Sequence, residues 1–223
     1  MDTLEISMIE KIYSYLRRRV RGGLRQVGSG LRGKCLCGKK VMIKHRRYVR
    51  SEGNISFGDY VEIDGFSKSG VSFGRNCTIG KYSIIRGSSS YENPGEGISI
   101  GNYFCCGDFS FFGAAGGIQI GDDVQMGQAI RFHAQNHKYS GTELIRLQGV
   151  ENKSIVIGNN CWVGSGTVFL AGVTIGDGCV IGANSVITKS FPNDCVIAGN
   201  PAKIIKMRRS LGVTDECQEK SDF

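Results

Sequence analysis

Proline is scarce in this chain, with 3 residues in 223 against 33 glycines. That imbalance excludes a Pro/Gly-rich disordered tract and points to an ordered chain with many tight turns. Histidine is equally scarce at 3, so chemistry built on imidazole has few candidates. The nine cysteines are odd in number and scattered. They contain no C-x-x-C, which removes the usual zinc and dithiol spacings. No apolar run approaches the ~20 residues of a membrane span. Residues 1–20 carry charges throughout and lack an apolar run with a cleavage site, so no secretory leader is expected and the thiols are read as reduced and cytoplasmic.

The net charge of +8 first suggests nucleic acid, but its distribution argues otherwise. Residues 1–50 hold 14 Lys+Arg against 3 Asp+Glu, and residues 51–223 hold 14 against 17. The basicity therefore belongs to an N-terminal segment, and the remainder is close to neutral. No zinc-finger, RNA-recognition or basic-zipper pattern accompanies it, so no nucleic-acid partner is expected. A localised basic stretch of this kind suits an anionic surface.

What the sequence does have is a repeat. Ile157, Val163, Phe169, Ile175, Ile181 and Ile187 fall every six residues. Gly158, Gly164, Gly176 and Gly182 follow four of them, and Cys161, Thr167, Val173, Cys179 and Ser185 stand four places after an apolar residue. The register recurs upstream at Phe57, Ile63, Phe73, Ile79, Ile85, Ile100, Cys106, Phe112, Ile120, Met126 and Phe132. Three segments interrupt it: 64–72, 86–99 and the longer 133–154. Each unit reads as one short strand and one corner, three units as one triangular coil, and stacked coils as a core of the repeating apolar residue. Free cysteines in these slots act as small hydrophobes; Cys35 and Cys37 lie outside the recognised register.

This pattern resembles the hexapeptide-repeat family, whose fold is a left-handed parallel β-helix. The implied architecture is an all-β solenoid with short N- and C-terminal helices. Residues 1–50 are expected to form a basic, amphipathic helical segment. Leu4, Met8, Ile12, Leu16 and Val20 recur every four residues beside a run of arginines, and Asp2 with Glu5 resembles a capping box. The segment suits a cap on the solenoid, packing on another subunit, or an interfacial helix on an anionic leaflet through residues 1–25. Residues 51–205 are expected to form the β-helix, with a catalytic loop at 133–154. Residues 206–223 are expected to complete a basic helix starting near Ala202 and end in a polar tail.

The long interruption contains two of the three histidines, His133 and His137. A loop projecting from a rigid scaffold is a common place for catalytic groups. Asn136-His137, followed by residues 159–206 ending in Ala-Gly-Asn-Pro-Ala-Lys, is similar to the sugar O-acetyltransferases of this family, of the galactoside, maltose, nodulation and surface-polysaccharide types. That resemblance implies acetyl-CoA as acetyl donor, no required metal, and a carbohydrate hydroxyl as acceptor. A neutral imidazole can take the hydroxyl proton as the ester forms.

By the same resemblance His137 is the general base, with His133 as runner-up and acceptor-side residue. Trp162, Ser165, Ala183, Thr188, Lys189, Lys203 and Lys206 match the acetyl-CoA-binding positions. Asp108, Asn136 and Tyr139 are the acceptor-contact candidates, while Asp108, Asp122, Asp123 and Glu143 are all open as the group orienting the imidazole. The resemblance further implies a homotrimer with sites between subunits; the thiols place it in the cytoplasm, and the basic amphipathic N-terminus suits peripheral contact with the inner membrane. A streptogramin-type antibiotic acetyltransferase of the same fold is the main alternative. A γ-type carbonic anhydrase would need three histidines on neighbouring coils, and a non-enzymatic scaffold would lack both the loop histidine and the terminal segment.

Overall fold

The computed structural model describes residues 3–87, 90 and 92–208. One helix, Thr3–Gln26, precedes a succession of strands, most of them two or three residues long. The strands sort into three parallel faces. The first runs from Gly30–Leu31 to Thr174–Ile175, the second from Cys35–Cys37 to Cys195–Gly199, and the third from Met42–Lys44 to Val186–Ile187. Each strand pairs with the one a full coil earlier and a full coil later, giving the stacked triangular coils of a left-handed parallel β-helix.

The core consists of three columns. On the third face Ile43, Ile63, Ile85, Phe112, Phe132, Phe169 and Ile187 occupy successive rungs. On the second, Phe57, Ile79, Cys106, Met126, Val163, Ile181 and Ile197 do so. On the first, Phe73, Ile100, Ile120, Ile157 and Ile175 follow Leu31 and Ser51. All of these are buried. Burial pushes the Cys106 thiol up to about 12, consistent with its use as core.

Corner chemistry fixes the register. At the corner between the first and second faces, each coil's Asn or Asp oxygen accepts a backbone N–H from the coil below. Asn102 Oδ1 takes Arg75 N–H at 2.9 Å, Asp122 takes Asn102 at 2.7 Å, Asn159 takes Asp122 at 2.8 Å and Asp177 takes Asn159 at 2.6 Å. These bonds satisfy turn amides that would otherwise be unpaired. The bonds from Asn102 also hold the Asp122 carboxyl below its usual range. The repeat glycine serves close approach between coils. A Cβ at Gly158 would lie 2.7 Å from Asp177 N, while the left-handed backbone falls two residues later, at Asn160 (φ 53°). At the same corner the thiols of Cys77, Cys161 and Cys179 donate to carbonyls of the next coil, at 3.3, 3.3 and 3.2 Å.

Three sequence expectations are corrected. The coils begin at Gly30 and not at residue 51, because Leu31, Cys37 and Ile43 already keep the six-residue spacing. Cys35 and Cys37, buried and 3.8 Å apart at sulfur, belong to that first coil. Ala202–Met207 is a strand, antiparallel to Cys195–Gly199, where a helix was expected; it covers the sheet edge that the last coil would leave unpaired. The expected capping box at Asp2 and the tail from residue 209 onward lie outside the described residues.

The helix closes the open end of the prism with its polar side. Arg18 Nη2 donates to Ser56 Oγ at 2.8 Å, and Gly22 is buried against the carbonyl of Cys35, where a side chain would collide. Its apolar residues point away: Ile12, Leu16 and Val20 are 54, 54 and 67 % exposed.

The core column gives a direct test. Phe132 is stacked between Phe112 at 5.0 Å and Phe169 at 4.6 Å. Phe132→Ala should cost about 3–5 kcal/mol in urea unfolding of the full chain, and a loss under ~1 kcal/mol would mean that the column relaxes around the cavity.

Candidate active site

Connections at two corners of the prism are uniformly three or four residues long. The longer segments leave from the third corner, where the chain passes from the third face to the first: residues 65–70, 87–97 and 134–154, with 188–194 after the last strand of that face, bridged to Ile175 through Phe191. All three interruptions of the repeat therefore gather on one edge. The longest stands up as a hairpin, with Gln135–His137 antiparallel to Val150–Asn152. Gln148 braces it from inside, accepting Gly141 N–H at 2.9 Å and donating to the carbonyls of Gly141 at 3.2 Å and Glu143 at 2.6 Å.

Below the hairpin the outward residues of the third face form the column Asp64, Arg86, Gly113, His133 and Leu170. Parallel rungs repeat every ~4.8 Å, so Arg86 and His133 stand roughly 10 Å apart with only glycine between them. A cleft of about 260 Å³ opens there, lined by Arg86, Phe111, Ala115, His133 and Gln135 among others. The Phe111 ring leans over the glycine, so that a Cβ at Gly113 would lie 2.8 Å from Phe111 Cε1. Its centroid is 5.7 Å from that of His133.

Desolvation, then the positive Arg131 on the same strand, hold the His133 pKa below its usual value. His133 therefore stays neutral at neutral pH. His137 is exposed on the hairpin, and no hydrogen bond to its ring is found among the described residues. Alternate residues of a strand share a face, so His137 lies on the same side as Gln135, about 7 Å farther from the coils. Asn136 faces the other way. Tyr139, beyond it, is 78 % exposed.

The structure does not bring all the expected residues together. Asp108 sits at the corner between the second and third faces, where its Oδ1 accepts Lys81 N–H at 2.7 Å. Asp122 and Asp123 sit at the corner between the first and second faces. Only Glu143, among the four open candidates for orienting the imidazole, belongs to the hairpin. The donor-side residues divide likewise. Trp162, 62 % exposed, lies in one row of the second face with Val180, Val196 and Lys206. Ser165 and Ala183 occupy successive coils of the adjoining corner, and Lys203 pairs with Ala198 on the terminal strand. Thr188 and Lys189 instead follow Ile187 onto the hairpin's edge.

Arg86, Phe111 and Gln135 were not singled out from the sequence. Their signal was the break of pattern at Gly113, a glycine where the neighbouring coils carry Arg86 and His133. His45, expected to lie ahead of the repeat, is on the same edge, with Nδ1 2.7 Å from Asp64 Oδ1. It is four rungs, roughly 19 Å, from the level of His133, too far to share one metal ion. Among the described residues no three His, Cys, Asp or Glu converge as a metal site.

Residues 154–189 match the family described as bacterial transferase hexapeptide (six repeats). WbbJ of Escherichia coli, named for O-acetyl transfer in lipopolysaccharide biosynthesis, is 28% identical over 179 residues, covering 74% of this chain and 78% of that one. WcaF of Escherichia coli, named for acetyl transfer in colanic acid biosynthesis, is 34% identical over 130 residues, covering 58% of this chain and 69% of that one. The fold also matches AntD, an N-acyltransferase from Bacillus cereus, with a TM-score of 0.59 at 19% identity over 85% of this chain and 88% of that one.

The electrostatics of His133 can be measured. Arg131→Gln should move the His133 titration, followed by its ring-proton NMR signals, upward toward the ordinary histidine value, because one of the two causes of its depression is gone. Since the depressed pKa opposes proton uptake in the folded state, the stability that His133 contributes is present above ~6.5 and is lost as pH falls through the folded value. An unchanged titration in the variant would assign the whole shift to desolvation.

Proposed function

This chain belongs to the bacterial hexapeptide-repeat acetyltransferases, and on that premise we propose that it transfers the acetyl group of acetyl-CoA to a hydroxyl of a sugar in a surface-polysaccharide precursor. His137 is the general base. The observation that carries the reading is the hairpin itself: an exposed imidazole on a braced strand, on the same side as a residue that lines a cleft. The names of the two polysaccharide-pathway relatives support the choice of acceptor.

Acetyl-CoA supplies an activated thioester whose thiol is the leaving group. The donor-side residues fit a long anionic molecule: an exposed indole, a corner of small residues at Ser165 and Ala183, and the cations Lys189, Lys203 and Lys206. His137 accepts the hydroxyl proton as the new C–O bond forms, and returns it to sulfur as the C–S bond breaks. Asn136 and Tyr139 are the hairpin's acceptor contacts in this reading. Asp108 is retained only if it acts from a second copy, since its own corner is not the hairpin's.

The separation of Trp162, Ser165, Ala183, Lys203 and Lys206 from the hairpin's edge, on which only Thr188 and Lys189 of the donor set lie, supports a homotrimer with shared sites. Six residues per side place the corner of Ser165 on the order of 15–20 Å from the hairpin's corner, so one copy's hairpin meets another copy's donor surface. The hairpin tip carries Leu144, Ile145 and Leu147, exposed by 62, 55 and 59 %, an apolar cluster suited to such a contact. The setting is the cytoplasm, with residues 1–25 lying on the inner membrane. No helix among the described residues is long and apolar enough to cross a membrane. The outward Ile12, Leu16 and Val20, flanked by Lys11, Arg17 and Arg21, fit an anionic bilayer surface.

Two outcomes are expected. His137→Ala should lower acceptor-dependent release of CoA at least ~100-fold with acetyl-CoA affinity retained, in a preparation that still sediments as a trimer. A mutant turning over at the wild-type rate would move the base to His133. Separately, Leu16→Glu with Val20→Glu should abolish co-sedimentation with anionic vesicles without altering turnover of a soluble acceptor, whereas a wild-type protein that ignores such vesicles would end the membrane assignment.

A further inference from the structure

Arg86 has no part in the chemistry above, yet it lines the cleft beside the hairpin. No ion pair to its guanidinium is found among the described residues. The carboxylate next to it in the column, Asp64, is engaged elsewhere. Asp64 Oδ1 accepts from Phe66 N–H at 3.0 Å and meets His45 Nδ1 at 2.7 Å. No described residue lining the cleft carries a negative charge. Among the described residues that line the cleft, Arg86 is the one cation, at one end, and a neutral imidazole stands at the other.

We infer that this cleft binds the acceptor sugar through an anionic group, a carboxylate or a phosphate, held by Arg86. The inference rests on the reading of the hairpin as the catalytic element and names the class of its acceptor. A planar guanidinium matches either oxyanion with two parallel N–H donors. The cleft's volume of about 260 Å³ lies just below the range usual for whole drug-sized ligands, which suits one ring with its charged substituent. The Phe111 ring gives that sugar an apolar wall. With its anion at Arg86, the ring spans the gap over Gly113 toward His133, and its far hydroxyls are presented along Gln135 toward His137.

The cleft thus selects for charge at one end, and His133 contributes by staying neutral. Desolvation and Arg131 both keep the proton off it, so it is left as a hydrogen-bonding partner for hydroxyls and does not compete with Arg86 for the anion.

Binding tests this separately from catalysis. The full-length protein is titrated with methyl β-D-glucuronide, with glucose 1-phosphate and with neutral methyl β-D-glucoside, and the His133 ring-proton shifts are followed by NMR. At least one of the two anionic probes should bind about 10- to 100-fold more tightly than the neutral one, the range expected for hydrogen bonds to a charged group; which of them does so identifies carboxylate or phosphate. Arg86→Gln should reduce the anionic response to the level of the neutral sugar, and Arg86→Lys should restore part of it. Equal binding of all three probes, an anionic preference that survives Arg86→Gln, or no response at His133 to any probe would overturn the inference. None of these readouts needs acetyl transfer, so a protein that selects the anion but releases no CoA would sink the catalytic reading and leave the cleft's selectivity standing.

Discussion

Coil-to-coil register is the constraint on which everything else rests. A strand of two or three residues could not hold its place alone. It is fixed because both edges are paired to strands one coil away and because corner side chains reach across the same interval. Asn102, Asp122, Asn159 and Asp177 each accept an amide from the coil below. A slip of one residue would turn the apolar columns outward and break every corner bond at once. Stability in such a stack accumulates from neighbour to neighbour, and a functional residue inherits its position from the same register.

The scaffold was legible in the sequence because the constraint is periodic and strict. Phe57, Phe112, Phe132 and Phe169 declare their rungs by number alone. The first two coils are harder to see because a cysteine in the first and a serine in the second, Cys37 and Ser51, fill slots where isoleucine is usual. Both are buried, and the serine does not announce burial by type. The terminal strand reads as a helix because the basic, locally helix-like sequence after Ala202 carries no sign of the open sheet edge that it covers. Local propensity lost to an unpaired neighbour.

The site was legible only as a list of residues. His137 is flagged by its place in a long interruption, but the convergence of the three interruptions on one edge depends on counting corners in three dimensions. Asp108 reads as an available carboxylate; its oxygen is taken by Lys81 N–H. Arg86 reads as one arginine among many, and only the register with Gly113 and His133 gives it a role. The N-terminal helix shows the same limit in reverse. Its amphipathic pattern is plain, but the pattern does not say which side meets the coils, and here the arginine side does, through Arg18.

The glycine gap in the column has a consequence for how such a cleft can be altered. Separations along a face come only in whole rungs, so the span from cation to imidazole behaves like a ruler with fixed graduations. Moving the arginine to the position of Asp64 would lengthen the span by ~4.8 Å, and moving it to Gly113 would shorten it by the same step. Intermediate spans are available only through side-chain length. A lineage adapting this cleft to a longer or shorter acceptor would therefore be expected to jump between discrete sizes, with lysine, arginine and glutamine serving as the fine adjustment within each step.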